Sequence, residues 1–422
     1  MAPRDRILNP VHITRRGALA VVARTQAWTL RKMPWLRAVF AGLVRFRWPL
    51  MALLAVLCAI VPQIDPAPND IDIFFLGPAY QLVRHGDLGV FAANIQVGPL
   101  CLALLGIGAV AGSGTGLSGT NVASAVMGLV ALGITAATVR AVLPLGTSRE
   151  RRAAYELCLG VVLIWTCTPL ASSYGHIEEM FLALMLVITA SEVRRGHGAR
   201  AGLWLGLALA FKLWAVVGIV VLVLAPTRRA ALRAAVVAAI VGVLSYAPFV
   251  LRGHFRTFDF RWTLQRHVPM SYVLGSESPF DFRARFLQVA LSCAVGLFVA
   301  IRLRRDVRAV WLVPATAIAV RLLTDPMLLP YYWTGLAACF VVGVAVTDWP
   351  PVLRAATGIA IPAVVLTAVI VLRDHPNRAI LTLMSVGAVA VCLWVCQFCA
   401  RRPAAGRAEG ALLSPENAGV TV

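Results

Sequence analysis

The chain has 422 residues, 59% of them apolar and only 14% charged, with a mean hydropathy of +0.80. A soluble globular chain carries roughly 25% charged residues, so a soluble fold is excluded. Lys and Arg number 39 against 19 Asp and Glu, for a net charge of +20, yet the basic residues fall in short connections between apolar runs. That is the positive-inside pattern of a lipid-bilayer protein, and without a groove-sized basic patch it argues against nucleic acid as a partner. Lys32 and Lys212 are the only lysines, a preference for Arg that fits a GC-rich bacterial genome.

Residues 1–47 interleave Arg15, Arg16, Arg31 and Arg45 with Trp28, Leu36 and Phe40, which predicts a cytoplasmic amphipathic segment on an anionic leaflet. The apolar run from Trp48 to Val61 lacks an A-x-A-like cleavage site after it and reads as an anchor rather than a signal peptide. Further Arg groups at 149–152, 194–200, 228–233, 302–308 and 401–407 place those connections inside. The stretches between them, 65–96, 171–179, 252–283 and 324–330, then face out and concentrate acidic and aromatic residues. Two segments resist a simple count: Gly98 to Gly112 is short and glycine-rich, and Ala201 to Ala225 must both start and finish inside. Broken or re-entrant helices satisfy both constraints, since irregular backbone is tolerated at membrane depth where protein buries it.

The expectation is therefore an all-α polytopic membrane bundle of about 10 to 12 transmembrane or re-entrant helices over residues 48–400, with outer loops 65–96 and 252–283. A disordered cytoplasmic tail is expected over 401–422, which is rich in Ala, Gly, Glu and Pro. No internal repeat of the kind that builds inverted transporters stands out. The nine cysteines lie in or beside apolar stretches and read as packing residues, Cys392, Cys396 and Cys399 on one helical face included. No metal site is expected from them, because no His or carboxylate joins them.

Ionisable residues at membrane depth are costly, so each is a candidate site. Asp70 and Asp72 sit in the first outer loop, where a carboxylate suits a general base and equally suits an ordinary solvated loop. In SSYGHIEEMF, spacing puts His176 and Glu179 on one face and points Glu178 elsewhere; these groups suit sugar hydroxyls, or simply a helix N-terminus. Lys212 lies twelve residues beyond Arg200, about 18 Å along a helix, too deep to snorkel inward. It calls for a lipid-linked phosphate or a buried carboxylate. Arg321 raises the same question, with Asp325 at i+4 as its structural alternative. In the outer loop, Phe255, Phe258 and Trp262 predict an interfacial helix, a substrate lid or an anchor.

The stretches IDIFFLGPAYQLVRHGDL, QVGPLCLALLG, YGHIEEMFLALML and ARAGLWLGLALAFKLW, in that order across residues 70 to 225, resemble GT-C glycosyltransferases. The nearest likeness is to glycosyltransferase family 87, the actinobacterial polyprenol-phosphate-mannose-dependent mannosyltransferases. The chain departs from the family in having Gln96, Val97 and Gly98 before Pro99, where an aromatic and a second Pro are more usual. The resemblance implies a multi-pass enzyme of the bacterial plasma membrane with its site on the extracytoplasmic face. That enzyme would transfer a hexose, on this likeness mannose, with inversion from a polyprenyl-phosphate donor to a glycan or glycolipid acceptor. It implies Asp72 as the base, with Asp70 as the alternative, and Lys212 near the donor phosphate with Arg321 assisting. His176, Glu178 and Glu179 would bind acceptor or sugar. Metal dependence stays open, since two or three carboxylates suit a divalent cation and equally suit sugar hydroxyls. The rival reading is a transporter or flippase of a lipid-linked sugar, which needs no base in the first outer loop.

Overall fold

The computed structural model describes residues 34–61, 69–92, 95–144, 147–259, 261–266, 268–275, 277–346 and 378–401; the N-terminal segment before residue 34 and the tail after 401 lie outside them. The fold is helical: α1 (Pro34–Arg45), α2 (Arg47–Ile60), a π-helical turn (Ile71–Phe75), α3 (Leu76–His85), α4 (Pro99–Thr115), α5 (Gly119–Val142), α6 (Arg149–Ser173), α7 (Glu178–Arg194), α8 (Gly198–Phe211), a 3-10 helix (Leu213–Leu224), α9 (Arg228–Arg252), α10 (Pro269–Leu274), α11 (Phe282–Arg302), α12 (Ala309–Leu323), α13 (Trp333–Val346) and α14 (Arg378–Arg401). Two-residue strands, Trp262–Thr263 and Pro279–Phe280, pair antiparallel. Among the described residues α5, α6, α9 and α11 are long and apolar enough to cross a membrane. The pair α1 and α2, bent by 72°, makes a fifth candidate, and several shorter apolar helices accompany them.

The bundle is organised around α7, in which every residue from Glu178 to Val193 is buried. A helix that is apolar all round belongs at a core. Neighbours reach it through small residues: an added Cβ at Gly335 would stand 3.0 Å from the Glu179 carbonyl, and one at Gly218 would meet Leu186. In lipid, where burial of apolar surface does not drive helices together, such close backbone approach is what holds them.

The segment expected to start and finish on one side is a hairpin whose two ends lie together. Helix α8 runs fourteen residues to Phe211, about 21 Å at 1.5 Å per residue. The chain extends through Lys212 (φ −166°, ψ 131°) and returns as twelve residues of 3-10 helix, about 24 Å at 2.0 Å per residue. The limbs therefore match in length, and they touch: a Cβ on Gly218 would approach Leu205, and at the base a Cβ on Gly196 would meet Pro226. Gly198, Gly202 and Gly206 form a stripe along α8 that lies directly on α9, where added Cβ atoms would fall 2.4 Å from the Ala230 and Ala234 carbonyl oxygens and 2.5 Å from Val241 Cβ.

Breaking a helix leaves carbonyls without partners, and here neighbours supply them. The Gly98 N–H donates to the Phe211 oxygen at 2.6 Å, and the Tyr246 hydroxyl donates to the Leu209 oxygen at 3.1 Å. Gly98 is required by contact, since a Cβ there would sit 2.3 Å from the Ala210 oxygen. The glycine-rich segment at 98–112 is not broken as expected: after Gly98, which meets the hairpin tip, it is the continuous helix α4.

Among the described residues the expected Arg groups gather at one end of the bundle; beyond Arg401 itself, the group at 401–407 lies outside them. Arg194 donates to the backbone oxygens of Arg304, Arg305 and Asp306, Arg195 to that of Leu143, and Arg304 to that of Ala225. The outer loop differs from its expectation. Phe255, Phe258 and Trp262 do not share one helix; the loop is a 3-10 turn (Thr257–Asp259), the short hairpin and α10. Gly253 and the hydrogen bonds from Leu264 N–H to Ser278 and from Gln265 N–H to Pro326 favour a folded strap over a continuous helix. The aromatic rings still assemble, with Phe258 edge-on to Phe282 at 4.8 Å.

Candidate functional site

At the end of the bundle opposite the Arg groups, a chain of ionisable side chains runs through the protein interior. Asp70 Oδ2 lies 2.7 Å from His176 Nε2, and His176 Nδ1 lies 2.7 Å from Glu178 Oε1. Lys212, at the hairpin tip, donates to Glu178 Oε1 and Glu179 Oε1, each at 2.9 Å. Glu179 Oε2 then meets Arg321 at 3.4 Å, Arg321 meets Asp325 at 3.4 Å, and Arg285 closes the chain on Asp325 at 3.1 Å.

Each group is placed by an identifiable element. Glu178 and Glu179 open α7, where carboxylates complement the helix N-terminus. His176 sits in the α6–α7 connection behind Gly175, whose φ of +79° turns the chain. It stacks on Tyr331 at 4.2 Å with the rings 12° apart, and Phe75 stands edge-on at 5.4 Å. Arg321 and Asp325 flank the end of α12, one helical turn apart. The Arg321 guanidinium lies over Trp214 at 4.2 Å and Tyr332 at 5.0 Å, and that of Arg285 over Trp262 at 4.2 Å.

The electrostatics close on themselves. Four carboxylates, Asp70, Glu178, Glu179 and Asp325, face Lys212, Arg285, Arg321 and one histidine. Burial alone would pull the His176 imidazole down. Glu178 and Asp70 on its two nitrogens outweigh that and hold it above its ordinary value. Glu178 and Glu179 side chains are 1% exposed, whereas Asp70 is 38% exposed. The chain is therefore most open at Asp70, whose Oδ2 is held by His176.

Asp72 lies beside that end in the π-helical turn. Its carboxylate accepts from the Thr120 hydroxyl, and Asn69 Oδ1 accepts from the N–H groups of Ile71 at 2.9 Å and Asp72 at 3.4 Å. The sequence-nominated residues Asp70, His176, Glu178, Glu179, Lys212 and Arg321 thus come together, with Asp72 adjacent and outside the ionic chain. One pairing corrects the helical-face reading: Glu178, not Glu179, joins His176, because His176 precedes the helix and does not follow its periodicity. Lys212 and Arg321 are bonded to carboxylates, and Asp325 is the i+4 partner of Arg321. Arg285, Gln288, Tyr331 and Tyr332 were not singled out in the sequence; Arg285 and Gln288, at i and i+3 opening an otherwise apolar helix, were the available signal.

The strap formed by residues 252–283 closes over this region. Trp262 covers Arg285 and reaches Gln96 through its indole N–H at 3.4 Å. Among the described residues no three His, Cys, Asp or Glu side chains assemble as a metal site. Compared with known proteins, the chain matches no family model, no curated protein and no solved structure.

Proposed function

We propose that the chain is an integral membrane glycosyltransferase that moves a hexosyl unit, mannosyl on the family likeness, from a polyprenyl-phosphate donor to a glycan or glycolipid acceptor at the outer face. One observation carries this reading: three of the four stretches that resemble the family meet at one place, joined by Asp70, the residue immediately before the remaining one. Asp70 joins His176, His176 joins Glu178, Glu178 joins Lys212, and Gly98 binds the carbonyl beside Lys212. Residues 106 positions apart in sequence have no packing reason to form a buried ionic chain with an exposed carboxylate at its mouth, whereas a proton-transfer site requires one.

In the proposed reaction the acceptor hydroxyl oxygen attacks the anomeric carbon, its proton passes to Asp70, and the bond from that carbon to the phosphate oxygen breaks. The polyprenyl phosphate leaves as a dianion. We take Asp70 as the base because it is the carboxylate joined to His176 and through it to the buried ionic chain; Asp72, exposed and with one oxygen held by Thr120, is the neighbour against which it is tested. The leaving phosphate needs cationic stabilisation. Arg321 retains a buried Nε–H without an acceptor among the described residues, and Arg283 stands exposed in the first turn of α11, two residues from Arg285. Lys212 and Arg321 are otherwise matched by carboxylates, so their part is to hold Glu178 and Glu179 charged at depth and to supply potential.

The re-entrant hairpin with an ionisable tip also suits a flippase of a lipid-linked sugar. Purified protein incubated with polyprenyl-phosphate carrying radiolabelled mannose and with membrane glycolipids separates the two. Covalent movement of label to glycolipid supports the transferase; movement of the intact donor across the bilayer without transfer supports the flippase and refutes the proposal.

A further inference from the structure

A second concavity lies at the basic end, where the ends of α5, α6, α7 and α8 meet. It is an open depression of about 370 Å³ lined by Arg140, Arg152, Arg195 and Arg200, with Glu192 as the one carboxylate in its lining and Trp204 on its wall. Two of the arginines are fixed. Arg140 Nε is held by Glu156 at 2.9 Å with its guanidinium over Trp48, and Arg195 donates to the Leu143 oxygen at 2.8 Å. Arg152 and Arg200 are exposed and have no acceptor among the described residues. Glu192 is shared with His197.

Arg140 is matched by Glu156 and Arg195 by Glu192 at 3.7 Å, so Arg152 and Arg200 carry the unmatched charge, and an anion beside them would balance it. Guanidinium forks match phosphate oxygens in geometry as well as charge. The cavity is not purely ionic: Ala137, Ile188 and Trp204 continue it away from the arginines along the apolar parts of α5, α7 and α8. A charged rim with an apolar wall, at the end where a bilayer surface would meet a positive-inside protein, is the shape of a headgroup site rather than of a soluble-anion site.

We propose that this cavity binds the phosphodiester of an anionic phospholipid in the leaflet on the basic side, with Arg140 and Arg195 preset and Arg152 and Arg200 closing on the headgroup. Arg200 and Trp204 belong to α8, so the lipid would seat the base of the hairpin whose tip carries Lys212. The inference does not depend on the transferase reading.

The test follows the thermal unfolding of the full-length protein in detergent while phosphatidylglycerol, phosphatidylcholine or inorganic phosphate is titrated. Phosphatidylglycerol should raise the melting temperature saturably and phosphatidylcholine should not. The half-saturating concentration should rise at least tenfold in Arg152→Gln/Arg200→Gln. It should stay within twofold in Arg228→Gln/Arg229→Gln, which removes two exposed arginines of the same end outside the cavity. Unchanged binding in the first variant, or equal weakening in both, would overturn the site in favour of diffuse surface charge. Inorganic phosphate that reproduces the shift and competes with the lipid would overturn the lipid assignment.

Discussion

At the basic end of the bundle, Arg194, Arg195 and Arg304 donate to backbone carbonyls and stay partly open to solvent; at the other end Lys212 and Arg321 are buried, and Arg285 is half-buried, against carboxylates. Solvated charges cost little and fix sidedness. Buried ones carry a desolvation penalty that their mutual attraction rarely more than offsets, and apolar residues of similar volume would do as well or better for stability. On the proposed function, a chain of eight ionisable groups, six of them buried, is kept for chemistry, with the partly exposed Asp70 as its working end.

The contrast is broken most severely at Lys212. Lys212→Met strands Glu178 and Glu179, and a buried pair that loses one partner costs about 3 to 5 kcal/mol; thermal unfolding should show the variant strongly destabilised. If its stability is retained while donor affinity alone falls, the lysine binds phosphate and the ion-pair role is wrong. A smaller loss is expected at the hairpin wall, where Gly202→Leu forces a side chain into the Ala234 backbone. Overpacking of this kind costs about 1 to 3 kcal/mol, whereas Gly133→Leu, with open space at its Cβ, should unfold like the parent.

His176 sharpens the comparison through pH. Its folded pKa is raised, so its contribution to stability is complete below the unfolded value of about 6.5 and is lost as pH rises through the higher folded value. The melting temperature should therefore fall above about pH 6.5 in the parent and flatten over that range in His176→Asn. Identical profiles would mean that the imidazole is not held protonated. The smallest effect belongs to the solvated pair Arg266–Glu277, about two-thirds exposed on both sides. Glu277→Gln should shift stability by less than about 1 kcal/mol.

Much of this was legible in the residues and some was not. The helical membrane class followed from apolar content, and the hairpin from a counting conflict: a segment between two Arg groups has to return to the side it left. What the sequence could not supply was the pairing of Asp70 with His176, because a contact 106 residues apart leaves no local periodicity. Helical spacing misassigned the partner of His176, since that residue lies before the helix starts. Arg285 was hidden beside Arg283 at the start of an apolar helix, distinguishable only by Gln288 one turn later. The aromatic spacing at 255–262 looked helical because spacing alone does not see Gly253 or the hydrogen bonds that fold the strap.

The central claim is that Asp70 is the proton acceptor of a glycosyl transfer. The direct measurement is the rate at which label passes from polyprenyl-phosphate-mannose to glycolipid in Asp70→Asn and Asp72→Asn, with melting temperatures taken on the same samples. Loss of a general base typically lowers a rate by about 10²- to 10⁴-fold. Asp70→Asn should show that loss with its fold intact, and Asp72→Asn should keep most of the parent rate. Near-parent transfer in Asp70→Asn would contradict the account.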